Sequence, residues 1–398
     1  MGISIIQLFY LALATLLISA CSDITKAPAV DQSAGVEAPK PAKQIKPPAN
    51  SDAIQTAKPL GVIKGSLSPL NTDLYTAAQF ADAIEYAKNL DSYSLLIWHK
   101  GALRLEQYYD SFDAELRAET ASMHKSVLGL LIACAIEDGF IGDVDARIGD
   151  FIEAWKDMPE GDITIRQLLT MSSGLNSLSF VGGFNSDAMK FNTGRLDARA
   201  TILGLRLNKK PGTSFSYANT SSQILALVLE AAAGQAYAEY LSQRLWQPLG
   251  ADDASVWYFE ENGFPRTFAS LLARSRDWVK VGLLYKDQGK YRNKQIISSE
   301  LIAAMTSPSK TNPNYGWHVW LGNEHQPLRH YNDLKVGIAV PVSQAFAADD
   351  IIYFDGFGGQ RVYISKSQDL VIVRTGDTRM DWDDSALPNM VIESLIDQ

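Results

Sequence analysis

Between Lys125 and Asp138 the chain carries an almost uninterrupted apolar run, Val127 to Ile136, stopped by Gly139. A helix of that composition has no polar face to turn toward water, so it belongs at the centre of the molecule, with the other elements packed around it. The chain has the material for this. It is 398 residues long and 46% apolar, enough to bury a large core in one to three domains.

The two ends read differently. Met1 to Ala20 is apolar and uncharged, with Gln7 its most polar residue, and ends in Leu17, Ile18, Ser19 and Ala20 before Cys21. Small residues before a cysteine resemble a bacterial lipoprotein signal, with Cys21 as the lipidated N-terminus. An uncleaved membrane anchor is the other reading, since about 18 to 20 apolar residues can span a bilayer. The segment before the apolar stretch lacks the usual Lys or Arg, and the small-small-Cys ending is what an anchor would not need. Either way the body of the chain is expected outside the cytoplasm. A periplasmic, lipid-anchored location is expected, and Ser22 after the cysteine resembles the outer-membrane sorting pattern. Residues 21–70 are rich in Ala, Pro and Lys, including Lys46, Pro47 and Pro48, and read as a tether unable to bury enough apolar surface to fold.

Net charge is −9, with no dense basic run, so nucleic acid is not an expected partner. Cys21 and Cys134 are the only cysteines, and a lipidated Cys21 leaves no internal disulfide. Five scattered histidines give no metal-ligand spacing, and neither metal nor cofactor is expected.

The folded part, 71–398, opens with a predicted helix from Thr76 to Asn89 and a hairpin of Tyr93 to Trp98 and Ala102 to Tyr109 around Gly101. From about 142 to 286 the pattern is helix and loop, with helical segments at Thr164 to Met171, Ser221 to Ala233 and Ser275 to Asp287. Strand patterns return at Tyr315 to Leu321, Ile351 to Phe354, Gln360 to Ile364 and Leu370 to Arg374, before a closing helix from Leu387 to Ile396. Strands at both ends with helices between them imply an α+β architecture: one antiparallel sheet built from the chain termini, beside a helical subdomain.

Ser122 opens the central helix and Lys125 follows three residues later. On a helix face their Cβ atoms would be roughly 5 to 6 Å apart, close enough for proton transfer. The helix N-terminus and burial would both lower the pKa of Lys125 and favour its neutral, basic form. The same residues could equally be a helix cap and a solvated side chain. A second Ser-x-x-Lys at Ser307 and Lys310 sits in a loop with Pro308 and Pro313, where no mutual geometry is fixed. Tyr217, Ala218 and Asn219 precede another apolar helix; the tyrosine hydroxyl could relay a proton, and the Asn219 amide could orient substrate or lysine. The third element is Asp355, Gly356, Phe357, Gly358, Gly359 and Gln360, a glycine turn beside a strand, where a backbone N–H could complete an oxyanion hole.

Taken together, Ser122 to Lys125, Leu168 to Leu175, Tyr217 to Asn219 and Gly356 to Gln360 stand in the order seen in serine hydrolases related to class C β-lactamases. The chain resembles that group of β-lactamases, DD-peptidases, esterases and 6-aminohexanoate-dimer hydrolases over about residues 75 to 395. The resemblance implies a β-lactamase/transpeptidase-like fold. It also implies Ser122 as acylated nucleophile, Lys125 and Tyr217 as a coupled base and proton relay, and Asn219 as a positioning residue. The N–H groups of Ser122 and Gln360, with Gly358 and Gly359 beside them, would form the oxyanion and substrate site. One position departs from the pattern: where a Lys or His usually attracts a substrate carboxylate, this chain has Phe357. Arg361 is near, but strand alternation points it elsewhere. The implied activity is therefore hydrolysis of a small ester or amide. Action on cell-wall peptides or β-lactams is the alternative within the family, and a catalytically silent envelope-binding lipoprotein the alternative outside it. His124 falls two residues from Ser122 on the helix, facing away from it, and reads as packing or a solvent-exposed side chain. No Gly-x-Ser-x-Gly elbow exists, which argues against an α/β-hydrolase. Oligomeric state is not legible.

Overall fold

The apolar run forms the helix His124–Glu137, and every residue from His124 to Ala135 in it is buried. It is entered through a 3₁₀ turn, Ala121–Met123, and packs against the helix Asn219–Ala233, which is itself buried from Asn219 to Leu229. Residues 77–178, 185–259 and 263–396 are described by this computed structural model. The apolar leader, Cys21, the tether, Thr76 and residues 179–184 and 260–262 lie outside the described residues.

A six-stranded antiparallel sheet stands beside this helix pair. Its order is Ala102–Tyr108, Ser92–His99, Leu370–Gly376, Gln360–Ser365, Ile352–Gly356, Trp320–Leu321. The first hairpin and the last strands interleave because Ser92–His99 pairs on one side with its hairpin partner and on the other with Leu370–Gly376, His99 facing Leu370. Alternation along a strand sends successive side chains to opposite faces. Leu95 and Ile97 accordingly pack with Phe80, Ile372, Leu387 and Val391 under the two terminal helices, Ala81–Asn89 and Ala386–Ile396. Leu96 and Trp98 join Val362, Val373, Val281 and the central helix on the other face. A sheet covered on both faces explains why these strands are apolar nearly throughout.

The helix Ser275–Lys286 departs from the sequence reading. The sequence pattern places it in the helical segment of 142–286, yet it lies across the main sheet, with Trp278 and Tyr285 against Phe354. Three strands that the sequence did not suggest, Arg117–Glu119, Leu271–Arg274 and Ser255–Val256, form a small second sheet, in which Glu119 faces Leu272. At two to four residues they are too short for alternation to register. The expected strand from Tyr315 to Leu321 reduces to Trp320–Leu321, because His318 adopts a positive φ of 56° and breaks the extended run. Among the described residues no helix is long and apolar enough to cross a membrane.

Candidate active site

Ser122 sits in the 3₁₀ turn, half-buried, and the next turn of chain brings Lys125 back over it. Lys125 Nζ is 2.8 Å from Ser122 Oγ, 2.8 Å from Asn219 Oδ1 and 2.7 Å from the Phe268 carbonyl oxygen. Burial holds the Lys125 amine well below the ordinary lysine range, while Asp355 and Glu119 act in the opposite sense. This arrangement has a chemical consequence. Asn219 Oδ1 and the Phe268 carbonyl can only accept hydrogen bonds, so a neutral amine spends its two N–H groups on them. Its lone pair is then left facing the Ser122 hydroxyl.

Tyr217 is buried at 6% exposure, and its phenol is hydrogen-bonded to Ser122. Burial, reinforced by Asp355, raises its pKa well above the usual tyrosine value, so the phenol keeps its proton at neutral pH. The ring is stacked on Trp320, edge-on to Tyr331, and has the Lys125 amine 4.8 Å from its centroid. Asn219 is 7% exposed. Its oxygen takes Lys125 and its nitrogen donates to Asn192 Oδ1 at 3.0 Å. Of the two expectations for Asn219, orienting substrate or orienting lysine, the geometry favours the lysine, because both ends of the amide already have protein partners.

The glycine turn lies against the nucleophile. A Cβ on Gly356 would fall 2.2 Å from the Thr120 carbonyl oxygen, so only glycine lets this strand end come so close to the residues leading into Ser122. Gly358 and Gly359 have φ of 75° and 91°, and a Cβ on Gly359 would meet the Trp382 ring at 2.8 Å. Gln360 is locked by its side chain, which donates to the Gly376 carbonyl at 2.6 Å and accepts from the Gly376 N–H at 2.9 Å. The side chain is therefore unavailable to a substrate, and the residue's main chain is what remains beside the nucleophile turn.

Around the turn the charges are already matched. Arg361 is 1% exposed and ion-paired with Asp384 at 2.6 Å and Asp355 at 2.7 Å. Arg329 pairs with the same two carboxylates, at 2.6 Å to Asp384 and 3.1 Å to Asp355. Arg379, on the rim, is held by Asp381 and Asp91, each at 2.7 Å. Phe357 is half-exposed and lines a small hollow with Ile338, Val340, Met380, Gly358 and Gly359. A separate cavity of about 210 Å³ shares the Trp320 wall with Tyr217 but is not lined by Ser122.

Other candidates fall away from the centre. Ser307 is exposed at a helix end, with its hydroxyl on the Ala303 carbonyl at 2.7 Å. Cys134 is buried in the core, and burial pushes its thiol up to about 12. His124 is fully buried with Nε2 2.8 Å from the Tyr237 hydroxyl and Nδ1 2.7 Å from the Ala269 carbonyl. Burial lowers its pKa to about 4, so it is neutral, with its proton on Nδ1 facing the carbonyl and Nε2 accepting from Tyr237. Sequence reasoning missed Phe268, which contributes only a carbonyl, and Asn192 and Glu119, which lie outside the motifs; it named Asp355 in the glycine turn but not its effect on Lys125 and Tyr217.

Comparison with known proteins places these features in context. The family model described as Beta-lactamase matches residues 77–379. The protein Flp of Staphylococcus aureus (strain N315) is 29% identical over 168 residues, which are 39% of this chain and 33% of that protein. The match thus spans about a third of the length of that relative. Among solved structures, one reported as a 6-aminohexanoate-dimer hydrolase from Bacillus anthracis superposes with a TM-score of 0.68 at 18% identity, covering 90% of this chain and 97% of that one. EstCE1, reported as a hydrolase with promiscuous acyltransferase activity, gives a TM-score of 0.60 at 15% identity, covering 80% and 98%. At these identities the structural likeness establishes the fold.

Proposed function

This chain belongs to the Beta-lactamase family of serine hydrolases, and we propose that it cleaves a small uncharged ester or amide through an acyl-enzyme on Ser122. The observation that carries this reading is the contact of Lys125 Nζ with Ser122 Oγ at 2.8 Å, with the amine's other contacts fixed on Asn219 and Phe268. Lys125, neutral through burial, takes the Ser122 proton as Oγ attacks the carbonyl carbon. The oxygen that becomes negative is received by the N–H groups of Ser122 and Gln360. Tyr217, still protonated, donates to the departing alkoxide or amine and is re-protonated from Lys125, so proton and leaving group depart together. Water then attacks the acyl carbon by the reverse of the same transfers, releasing the acid.

The substrate class follows from charge. Recognition of a carboxylate beside the scissile bond draws on a charge-assisted hydrogen bond. Phe357 cannot supply one, and Arg361, Arg329 and Arg379 each already hold carboxylates of the protein. Structures of the same fold reported as a 6-aminohexanoate-dimer hydrolase and as a hydrolase with promiscuous acyltransferase activity support an acyl-transfer reading. Steady-state hydrolysis of p-nitrophenyl butyrate, p-nitroanilides and nitrocefin tests the reading. Turnover of the neutral ester or anilide, abolished by Ser122→Ala, supports it; preference for the β-lactam, or turnover retained by Ser122→Ala, overturns it.

A further inference from the structure

Glu119 ends the short strand Arg117–Glu119, opposite Leu272 in the antiparallel pair. Had the pairing run on for two residues, Ala121 would face Ser270. Instead both leave the extended conformation for the left-handed region, Ala121 at φ 49° and Ser270 at φ 67°. For residues other than glycine that is a strained conformation, and both backbone N–H groups lose the ladder partners they would have had. The Glu119 carboxylate takes both. Its Oε1 accepts from the Ala121 N–H at 3.0 Å and from the Ser270 N–H at 2.8 Å.

These two amides flank the catalytic contact from either side. Ala121 immediately precedes Ser122. Ser270 lies two residues after Phe268, whose carbonyl is one of the fixed acceptors for Lys125. The rest of that segment is pinned independently, with His124 Nδ1 on the Arg266 and Ala269 carbonyls and the Thr267 N–H on Gln223 Oε1 at 3.1 Å. The link between the Phe268 segment and the nucleophile turn itself runs mainly through this carboxylate, whose Oε1 serves both amides while Oε2 also accepts from the Ala121 N–H at 3.2 Å, with a longer bond of 3.4 Å from the Thr120 hydroxyl to the Leu271 carbonyl beside it.

We propose that Glu119 is a positioning residue, which through its hydrogen bonds to the Ala121 and Ser270 amides sets the register between Ser122 and the Phe268 carbonyl that directs Lys125. This rests on the hydrolase reading above. Displacement of a reacting group by about 1 Å can cost about 100-fold in rate, so the effect falls on kcat and leaves KM alone.

The test separates reach from charge. Glu119→Gln keeps an oxygen at the position that serves both amides and loses the charge; Glu119→Asp keeps the charge and loses the reach. Rates for p-nitrophenyl butyrate are measured per active site titrated with a fluorophosphonate, alongside thermal melting. Glu119→Gln is expected within about threefold of wild type, and Glu119→Asp lower in kcat by about ten- to 100-fold at unchanged KM. Adding Ala121→Gly to Glu119→Asp should recover part of that loss, because glycine holds a positive φ without strain. The reverse ranking, equal losses in both variants, or two unaffected variants overturns the proposal. A folded wild type that is not acylated at Ser122 contradicts the hydrolase reading itself, and Glu119 with it.

Discussion

Lys125 Nζ and Asn219 Oδ1 lie 2.8 Å apart inside the molecule, where Asn219 is in turn tied to Asn192. The lysine is thereby held on the amide as well as on the serine, so its orientation does not rest on Ser122 alone. The same contact gives the site a defined pH behaviour. In the proposed mechanism the reactive form is the neutral amine, so activity should rise with pH as Lys125 loses its proton. Because burial holds that pKa well below the ordinary lysine range, the acid limb of kcat/KM should fall well below pH 10, with a plateau above it. An acid limb near pH 10 in wild-type enzyme would contradict a buried neutral lysine. Lys125→Met should lower kcat by about 100- to 10,000-fold, the range of general-base catalysis.

Tyr217→Phe should remove the proton relay and little else. The ring remains stacked on Trp320 and packed on Tyr331, so melting should change little while kcat falls by about 100-fold or more. A variant with wild-type kcat would confine Tyr217 to packing.

Phe357→Lys places a cation at the half-exposed position beside the glycine turn. A hydrogen bond to a charged group contributes about 1.5 to 3 kcal/mol, so the ratio of kcat/KM for a carboxylate-bearing substrate to that for a neutral ester should rise by about ten- to 100-fold. An unchanged ratio would mean that selectivity is set elsewhere in the pocket.

Asp384 joins Arg361 and Arg329 in a buried cluster where all three side chains are no more than 5% exposed. Removing one partner of such a cluster leaves charge uncompensated, so Asp384→Ala should destabilise the fold by about 3 to 5 kcal/mol. The Arg166–Asp145 pair is 45% and 60% exposed, and Arg166→Ala should cost about 1 kcal/mol or less. Chemical denaturation of the two variants checks the contrast.

What the sequence disclosed follows the reach of its patterns. Ser122 and Lys125 were legible because residues three apart in a helical turn are neighbours, which holds for the 3₁₀ turn that leads into the central helix as for the helix itself, and the central helix because its run has no polar side. Arg361 was expected to point away from the substrate, and alternation does turn it into the buried cluster. The Phe268 carbonyl was invisible because it is backbone, identical in every residue type. Glu119 and Asn192 were invisible because their bonds to Ser270 and Asn219 cross more than 25 residues of sequence, from a three-residue strand and a six-residue helix too short to leave a periodicity. His124 reads locally as packing, and only the fold shows that what it packs is the segment presenting that carbonyl to Lys125.

The most direct test of the central claim is intact-mass analysis of the domain after reaction with a fluorophosphonate, with peptide mapping and a Ser122→Ala control. The account predicts a single adduct on Ser122, formed in the wild type, lost in Ser122→Ala and slowed in Lys125→Met. No adduct on a well-folded wild type, or an adduct that persists in Ser122→Ala, would contradict it.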